Sequence, residues 1–115
     1  MTKRLTLLAA AACIAGPALA HHGWGSYDAA HPVTVAGPIL TSKFESPHVT
    51  ITVRGDDKEW MVTLAPPSRM ENRGAVAAVV AVGKKMAAYG YPSTAAKNEM
   101  RAERITVDGK TYEMR

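Results

Sequence analysis

The segment HVTITVRGDDKEWMVTL, residues 48–64, contains two alternating runs that flank the polar loop GDDK at residues 55–58. Apolar side chains recur at every second position on both sides of this loop, which is the pattern of two half-buried β-strands. Folding the segment about the four-residue loop brings these side chains together on one face. The expected pairs are Val53 with Trp60, Ile51 with Val62, and Val49 with Leu64. The segment therefore predicts a β-hairpin with one face in the core, and His48 opens the opposite face.

One more strand is predicted on each side of this hairpin. Residues 33–44 are rich in β-branched and apolar residues, but Gly37 and Pro38 interrupt them. Because proline cannot donate a hydrogen bond to a strand ladder, the interruption predicts a bulge or a sheet edge. A further strand is expected at residues 84–91, after Gly83.

The end of the chain has the pattern of a second hairpin. Asp108 and Gly109 form a two-residue turn signal between two strand-like runs. An Asp-Gly pair favours a type I′ turn, because both residues tolerate a positive φ. This turn would place Ile105 opposite Tyr112.

One short helix is predicted between the third and fourth strands. Ser68 and Glu71 have the Ser-x-x-Glu spacing of a capping box, which predicts a helix start at Ser68. Gly74 fits the end of that helix, and residues 75–82 are compatible with one more helical turn.

This order of elements indicates a mainly β fold with five or six strands. A small five-stranded barrel of the oligonucleotide/oligosaccharide-binding type has its helix at the same point in the order. We therefore predict that architecture for a single domain at residues 33–115. A small open sandwich is the alternative, because a count of strands does not establish closure.

The first twenty residues have the three parts of a secretory signal peptide: a basic start, an apolar run at residues 5–15, and a small-residue ending at residues 18–20. The apolar run is shorter than the roughly twenty residues that span a bilayer. We expect cleavage after Ala20, which would make the mature protein periplasmic or secreted, without stable membrane insertion. Lipidation of Cys13 is the alternative.

Removal of residues 1–20 changes what the composition implies. The formal net charge falls from +4 to +2, and the single cysteine is lost. The charge argument for nucleic acid binding therefore disappears, and disulfide and thiolate chemistry are excluded from the mature chain. Residues 21–32 contain no sustained period and predict an irregular arm anchored by Trp24 and Tyr27.

The predicted cleavage would make His21 the first residue, followed by His22. An N-terminal histidine offers its amine and its imidazole within one chelate ring, and a third nitrogen from His48 would complete a set suited to copper. Asp28 and His31 are candidates for further ligands or for groups that orient the ligands. Alternatively, the histidines are solvated and His48 only caps a strand. Cleavage two residues earlier would place His21 third, where backbone nitrogens also bind copper.

Other chemistry has little support in the sequence. No serine lies in a Gly-x-Ser-x-Gly turn, and Asp56 and Asp57 belong to a hairpin loop. Tyr89 and Tyr91 share one face of a strand, where they either stack a ligand or, as we expect, fill the core. The protein is therefore not expected to be an enzyme.

Several motifs together resemble a family of small exported bacterial proteins of unknown function. They are the His-His start, the corner at residues 44–48 (FESPH), the strand at residues 82–92 that ends in Gly-Tyr-Pro, and the closing Asp-Gly hairpin. In that family asparagine is usual where this chain has Ser46. The histidines also resemble the copper-binding brace of periplasmic copper carriers and copper-dependent polysaccharide monooxygenases.

These features lead to two functional hypotheses, with a copper-dependent redox enzyme as a third, lesser alternative. In the first, the protein carries or senses copper in the periplasm through His21, His22 and His48, with Asp28 assisting. In the second, it is a metal-free module that binds an envelope glycan, peptide or protein.

Overall fold

The computed structural model describes residues 23–115, and it is mainly β, as predicted. The predicted signal peptide at residues 1–20, together with His21 and His22, lies outside the described residues. The strands are β1 (Val33–Lys43), β2 (Thr50–Arg54), β3 (Glu59–Thr63), β4 (Lys85–Pro92), β5 (Glu99–Val107) and β6 (Lys110–Glu113). The helix α1 (Pro67–Asn72) lies between β3 and β4, and short 3-10 helices occupy Trp24–Ser26 and Ala77–Val80.

The first five strands form a closed barrel, and β6 extends it by pairing with β5. Neighbouring strands follow the order β3-β2-β1-β4-β5-β6, and β3 also pairs with β5. That last pairing is parallel, whereas the other strand pairs are antiparallel. The barrel of the oligonucleotide/oligosaccharide-binding type is therefore confirmed, with its helix in the predicted position.

The hairpin of β2 and β3 has the predicted register. Val53 pairs with Trp60 and Ile51 with Val62. Val49 and Leu64 extend the same ladder, since the Leu64 amide donates to the Val49 carbonyl at 2.8 Å. This face of the hairpin packs into the core, and Trp60 lies partly buried against it.

The interruption of β1 is the point at which this strand changes partners. Residues before it pair with β4, and residues after it pair with β2. The register shifts between Ile39 and Thr41, so the bulge lies just after the predicted position, and Gly37 and Pro38 themselves stay paired with β4. A Cβ atom at Gly37 would overlap the carbonyl oxygen of Arg54, so the strands approach too closely there for any side chain.

The start of α1 differs from the prediction. The helix begins at Pro67, and no side chain caps it, so the capping box of Ser68 and Glu71 is wrong. Proline at the first helical position already has the φ that a helix needs and has no amide to satisfy, so the helix starts one residue earlier. Gly74 ends the helix with a φ of 82°, as predicted.

The final hairpin and the core agree with the sequence. Asp108 and Gly109 have φ values of 50° and 77°, which fit the type I′ turn, and Ile105 pairs with Tyr112. One continuous core fills the barrel. Its largest fully buried side chains are Ile39, Ile51, Leu64, Met70, Met100, Ile105 and Met114. Among residues 23–115, no helix has the length and apolar character needed to cross a membrane.

Candidate functional site

The N-terminal arm is fixed to the barrel beside the loop that joins β4 and β5. Tyr27 forms an isolated antiparallel bridge with Ser93. The Asp28 amide donates to the Pro92 carbonyl at 2.8 Å, and the Thr94 amide donates to the Ser26 carbonyl at 3.0 Å. These backbone bonds hold the arm against the barrel wall near the end of β4.

Trp24 is the anchor of this arm, as predicted. Its ring centre lies 4.2 Å from the guanidinium carbon of Arg101 and 4.4 Å from that of Arg115. The edge of the ring also packs against Tyr91, with centroids 5.9 Å apart. Cations over an indole face are attracted by the negative face of the ring, so both arginines hold Trp24 in place.

Arg101 connects the arm to the corner that carries His48. It lies on β5 and pairs across the sheet with Tyr91. Its side chain is only 7% exposed, and its Nη2 atom lies 3.4 Å from Nε2 of His48. Burial lowers the pKa of Arg101; Tyr27 acts in the opposite direction, and the positive charges of Arg115 and Arg69 lower the pKa further. Loss of water around a cation disfavours its charged form, which is the cause of the main effect.

His48 is held at the start of the first hairpin, directly after a cis peptide bond between Ser46 and Pro47. The next residue, Val49, donates its amide to the Ala65 carbonyl at 3.0 Å, which fixes the backbone there. A guanidinium only donates hydrogen bonds, so Nε2 of His48 is the acceptor from Arg101. An imidazole nitrogen that accepts carries a lone pair, which is the state that binds a metal.

Asp28 and His31 contact each other within the arm. Asp28 Oδ2 lies 2.8 Å from His31 Nδ1, and Asp28 Oδ1 accepts the Ala30 amide at 3.1 Å. The His31 side chain is 79% exposed. These two contacts of Asp28 stabilise a turn within the arm. A role for Asp28 beside a metal stays a prediction.

The structure thus brings some of the predicted site residues together. His48 lies next to Arg101, and Asp28 next to His31, whereas His21 and His22 are outside the described residues. Within residues 23–115, no group of three or more His, Cys, Asp or Glu side chains is placed to hold a metal ion. A copper site that includes His48 would therefore need nitrogen ligands from the N-terminal pair.

Comparison with known families identifies the relatives of this chain. A family model matches residues 10–112, nearly the whole sequence. The chain belongs to DUF6152, a family of unknown function. This confirms the resemblance to a family without an assigned activity, whereas the copper brace stays a prediction. No curated protein matches the chain. Membership of DUF6152 supplies no reaction, so any function has to be inferred from the residues themselves.

The placement of two tyrosines was predicted wrongly. In β4 the buried positions are Met86, Ala88 and Gly90, and the half-buried Tyr89 and Tyr91 alternate with them on the outer face. The two tyrosine rings pack edge to face with centroids 6.3 Å apart. The outward side chains of β4 and β5, with Trp24 over them, therefore form an aromatic face on the barrel.

The arginines of this face are not indicated by any pattern in the sequence. Arg104 lies 4.6 Å from the Tyr89 ring centre, and Arg101 and Arg115 lie against Trp24. Arg101 and Arg104 are three positions apart in β5, where the register shifts opposite Tyr89 and Gly90, so they share a face despite their odd spacing. An alternation pattern cannot reveal that, because it assumes an unbroken ladder.

Proposed function

We propose that the mature protein binds one Cu(II) ion through its N-terminal histidine and His48, and that it serves as a periplasmic carrier or sensor of copper. The observation that supports this proposal is the chain of contacts from Trp24 through Arg101 to His48. Through these contacts the fixed end of the arm lies near His48, two residues before β2.

The length of the arm supports the same proposal. His21 precedes Trp24 by three residues, and three residues extend to about 10 Å at most. Trp24 contacts Arg101, which in turn contacts His48. A histidine tethered this closely to Trp24 has a high effective concentration near His48, so a shared metal would cost little chain entropy.

The donor set suits copper. An α-amine and two imidazoles form a nitrogen-rich set, and Cu(II) has the highest affinity of the divalent first-row metals for such ligands. His22 or Asp28 would assist by supplying or orienting a further donor. Copper would replace the Arg101 hydrogen bond at Nε2 of His48, because one lone pair cannot serve both.

The test is a Cu(II) titration of protein that begins at His21. We expect tight one-to-one binding and a nitrogen-rich paramagnetic resonance spectrum. His48→Ala should weaken binding by at least about a hundredfold, since it removes one of three strong ligands. Arg104→Gln is the matched control, because Arg104 lies on the same barrel face but contacts Tyr89, and it should change nothing.

A second comparison isolates the N-terminal amine. Three additional glycines before His21 move the amine out of the chelate ring and keep both N-terminal histidines out of the third position, so the expected spectrum should be lost. If His48→Ala or the glycine extension binds copper as tightly as the parent protein, the proposal is wrong. Copper-dependent oxidation of a reductant by the parent protein would instead point to an enzyme.

A metal-free binding module is the second candidate, and the outward placement of Tyr89 and Tyr91 favours it. Aromatic side chains on an outer barrel face can stack sugar rings or other planar groups. This function predicts that soluble peptidoglycan fragments bind the protein whether or not His21 is blocked. Tyr91→Ala should then weaken binding, and His48→Ala should not.

A further inference from the structure

Positive charge is concentrated around Trp24, at the end of the barrel that carries His48. Arg101 and Arg115 both lie within 4.4 Å of the Trp24 ring centre. Arg69 joins them from α1, since its Nη1 atom lies 3.5 Å from the carbonyl oxygen of Met114, the residue before Arg115. Three arginines, from α1, from β5 and from the residues after β6, therefore lie in this region.

Few negative charges offset this cluster. Within the described part of the chain, the carboxylate that forms an ion pair with one of these arginines is Glu103, whose Oε2 lies 3.6 Å from Nη1 of Arg115. Residues 1–22 contain no Asp or Glu. The cluster thus has a net positive charge, and part of it is held in a poorly hydrated position, because Arg101 is only 7% exposed.

Two of the three arginines are accessible to a ligand, since the Arg115 side chain is 55% exposed and Arg69 is an exposed residue of α1. A guanidinium that lies over a ring uses its flat face, whereas its N–H groups point outward in its own plane. Such a fork matches the two oxygens of a carboxylate or a phosphate. Stacking also fixes the guanidinium before a ligand arrives, so less entropy is lost on binding.

We propose that Arg101, Arg115 and Arg69 form a binding site for a small oxyanion, a carboxylate or a phosphate group, beside His48. The anion enters from the exposed side of the cluster, where the Arg115 side chain is 55% exposed. It contacts Arg115 and Arg69 directly and is attracted by the buried charge of Arg101. This site does not depend on copper.

The test uses metal-free protein and the fluorescence of Trp24, with Trp60→Phe as the background because Trp60 is the other tryptophan. Malonate and phosphate are titrated at constant ionic strength, and near-ultraviolet circular dichroism verifies the fold of every variant. We expect a saturable change with both probes or with one of them. The tighter probe identifies the oxyanion as a carboxylate or a phosphate.

Three variants locate the site. Arg115→Gln and Arg69→Gln, both at exposed positions, each remove a guanidinium that contacts the anion and should each weaken binding by about tenfold. Arg104→Gln is the matched control, because Arg104 also stacks on a ring of the same face, over Tyr89, and it should bind as the parent does. Equal weakening in all three variants, or a linear response without saturation, would overturn the proposal.

His48→Ala separates this proposal from the copper proposal. The variant should still bind the anion, although it loses copper. If the parent protein binds copper but not the anion, only the inference about the arginines is wrong.

Discussion

Two outer faces of the same barrel have opposite chemistry. The face formed by β1, β2 and β3, here the threonine face, presents Thr41, Thr50, Thr52, Met61 and Thr63. The aromatic face of β4 and β5 presents Tyr89, Tyr91, Arg101 and Arg104, and Trp24 of the arm covers part of it. Polar groups on the threonine face bind each other, as in the 2.6 Å contact between the hydroxyls of Thr41 and Thr52.

The two faces differ in where their side chains come from. Short hydroxyl side chains suit any solvated sheet surface and need no partner from elsewhere. The aromatic face instead depends on residues from the arm and the end of the chain, since Trp24 and Arg115 contact each other there. Residues distant in sequence meet at the aromatic face, which is why we place both proposed sites at that face.

The largest expected loss of stability comes from a feature that both faces share, a glycine where two strands approach closely. A Cβ atom at Gly37 would overlap the Arg54 carbonyl under the threonine face, and one at Gly90 would overlap the Arg101 carbonyl under the aromatic face. Gly37→Ala and Gly90→Ala should each lower the free energy of unfolding by about 3 kcal/mol, because the strands must move apart. Urea unfolding followed by circular dichroism measures this. Gly25→Ala, with nothing within 4 Å, is the control.

The next-largest effect should occur on the aromatic face and not on the threonine face. Trp24→Ala should cost about 2 kcal/mol, roughly half the loss for a fully buried tryptophan, because Trp24 is half-buried. Hydrogen exchange should accelerate at the amides of Tyr27 and Asp28, since the arm loses its anchor. Met61→Ala, at a 37% exposed position of the threonine face, should leave exchange in the arm unchanged. Unchanged exchange in the Trp24 variant would show that the backbone bonds alone hold the arm.

A smaller effect is expected within the threonine face. Thr41→Val and Thr52→Val each remove one hydroxyl of the 2.6 Å pair. Each change should cost about 0.5 to 1 kcal/mol, and the double variant should cost less than the sum of the two. A double-mutant cycle by thermal unfolding measures the coupling. Full additivity would mean that the pair adds nothing to stability.

The smallest effect concerns one cation on the aromatic face. Arg104→Gln removes the guanidinium 4.6 Å from the Tyr89 ring centre. Because this contact is partly exposed, the expected loss is about 0.5 kcal/mol. Chemical unfolding at low and high salt measures it. A loss as large as that of Trp24→Ala would mean that Arg104 also anchors the arm.

The local parts of the fold were predictable from the sequence. The register of β2 and β3 follows from alternation on both sides of a four-residue loop, and the last turn follows from Asp108 and Gly109. In both hairpins the pairing residues are close in the chain, so the turn sets the register. The helix start was missed because Pro67 begins α1 without any side-chain cap.

The candidate site was less predictable. Alternation placed Tyr89 and Tyr91 on one face but could not show which face was outward, and their apolar rings suggested the core. Gly90 explains the outcome, because it leaves no room for a side chain against the Arg101 carbonyl. His48 was identified from its position after Pro47, whereas its contact with Arg101 joins residues 53 positions apart and has no signal in the sequence.

The parallel pairing of β3 with β5 also has a consequence for how the chain folds. It joins Met61 to Glu99, 38 positions apart, whereas the hairpins close over a few residues. Closing a long loop costs more entropy than forming a local turn, so the hairpins should form early and the barrel should close late. Until then, both strands have unpaired edges that can pair with other chains. The rate of closure, more than the final stability, should therefore set how much protein escapes aggregation during refolding.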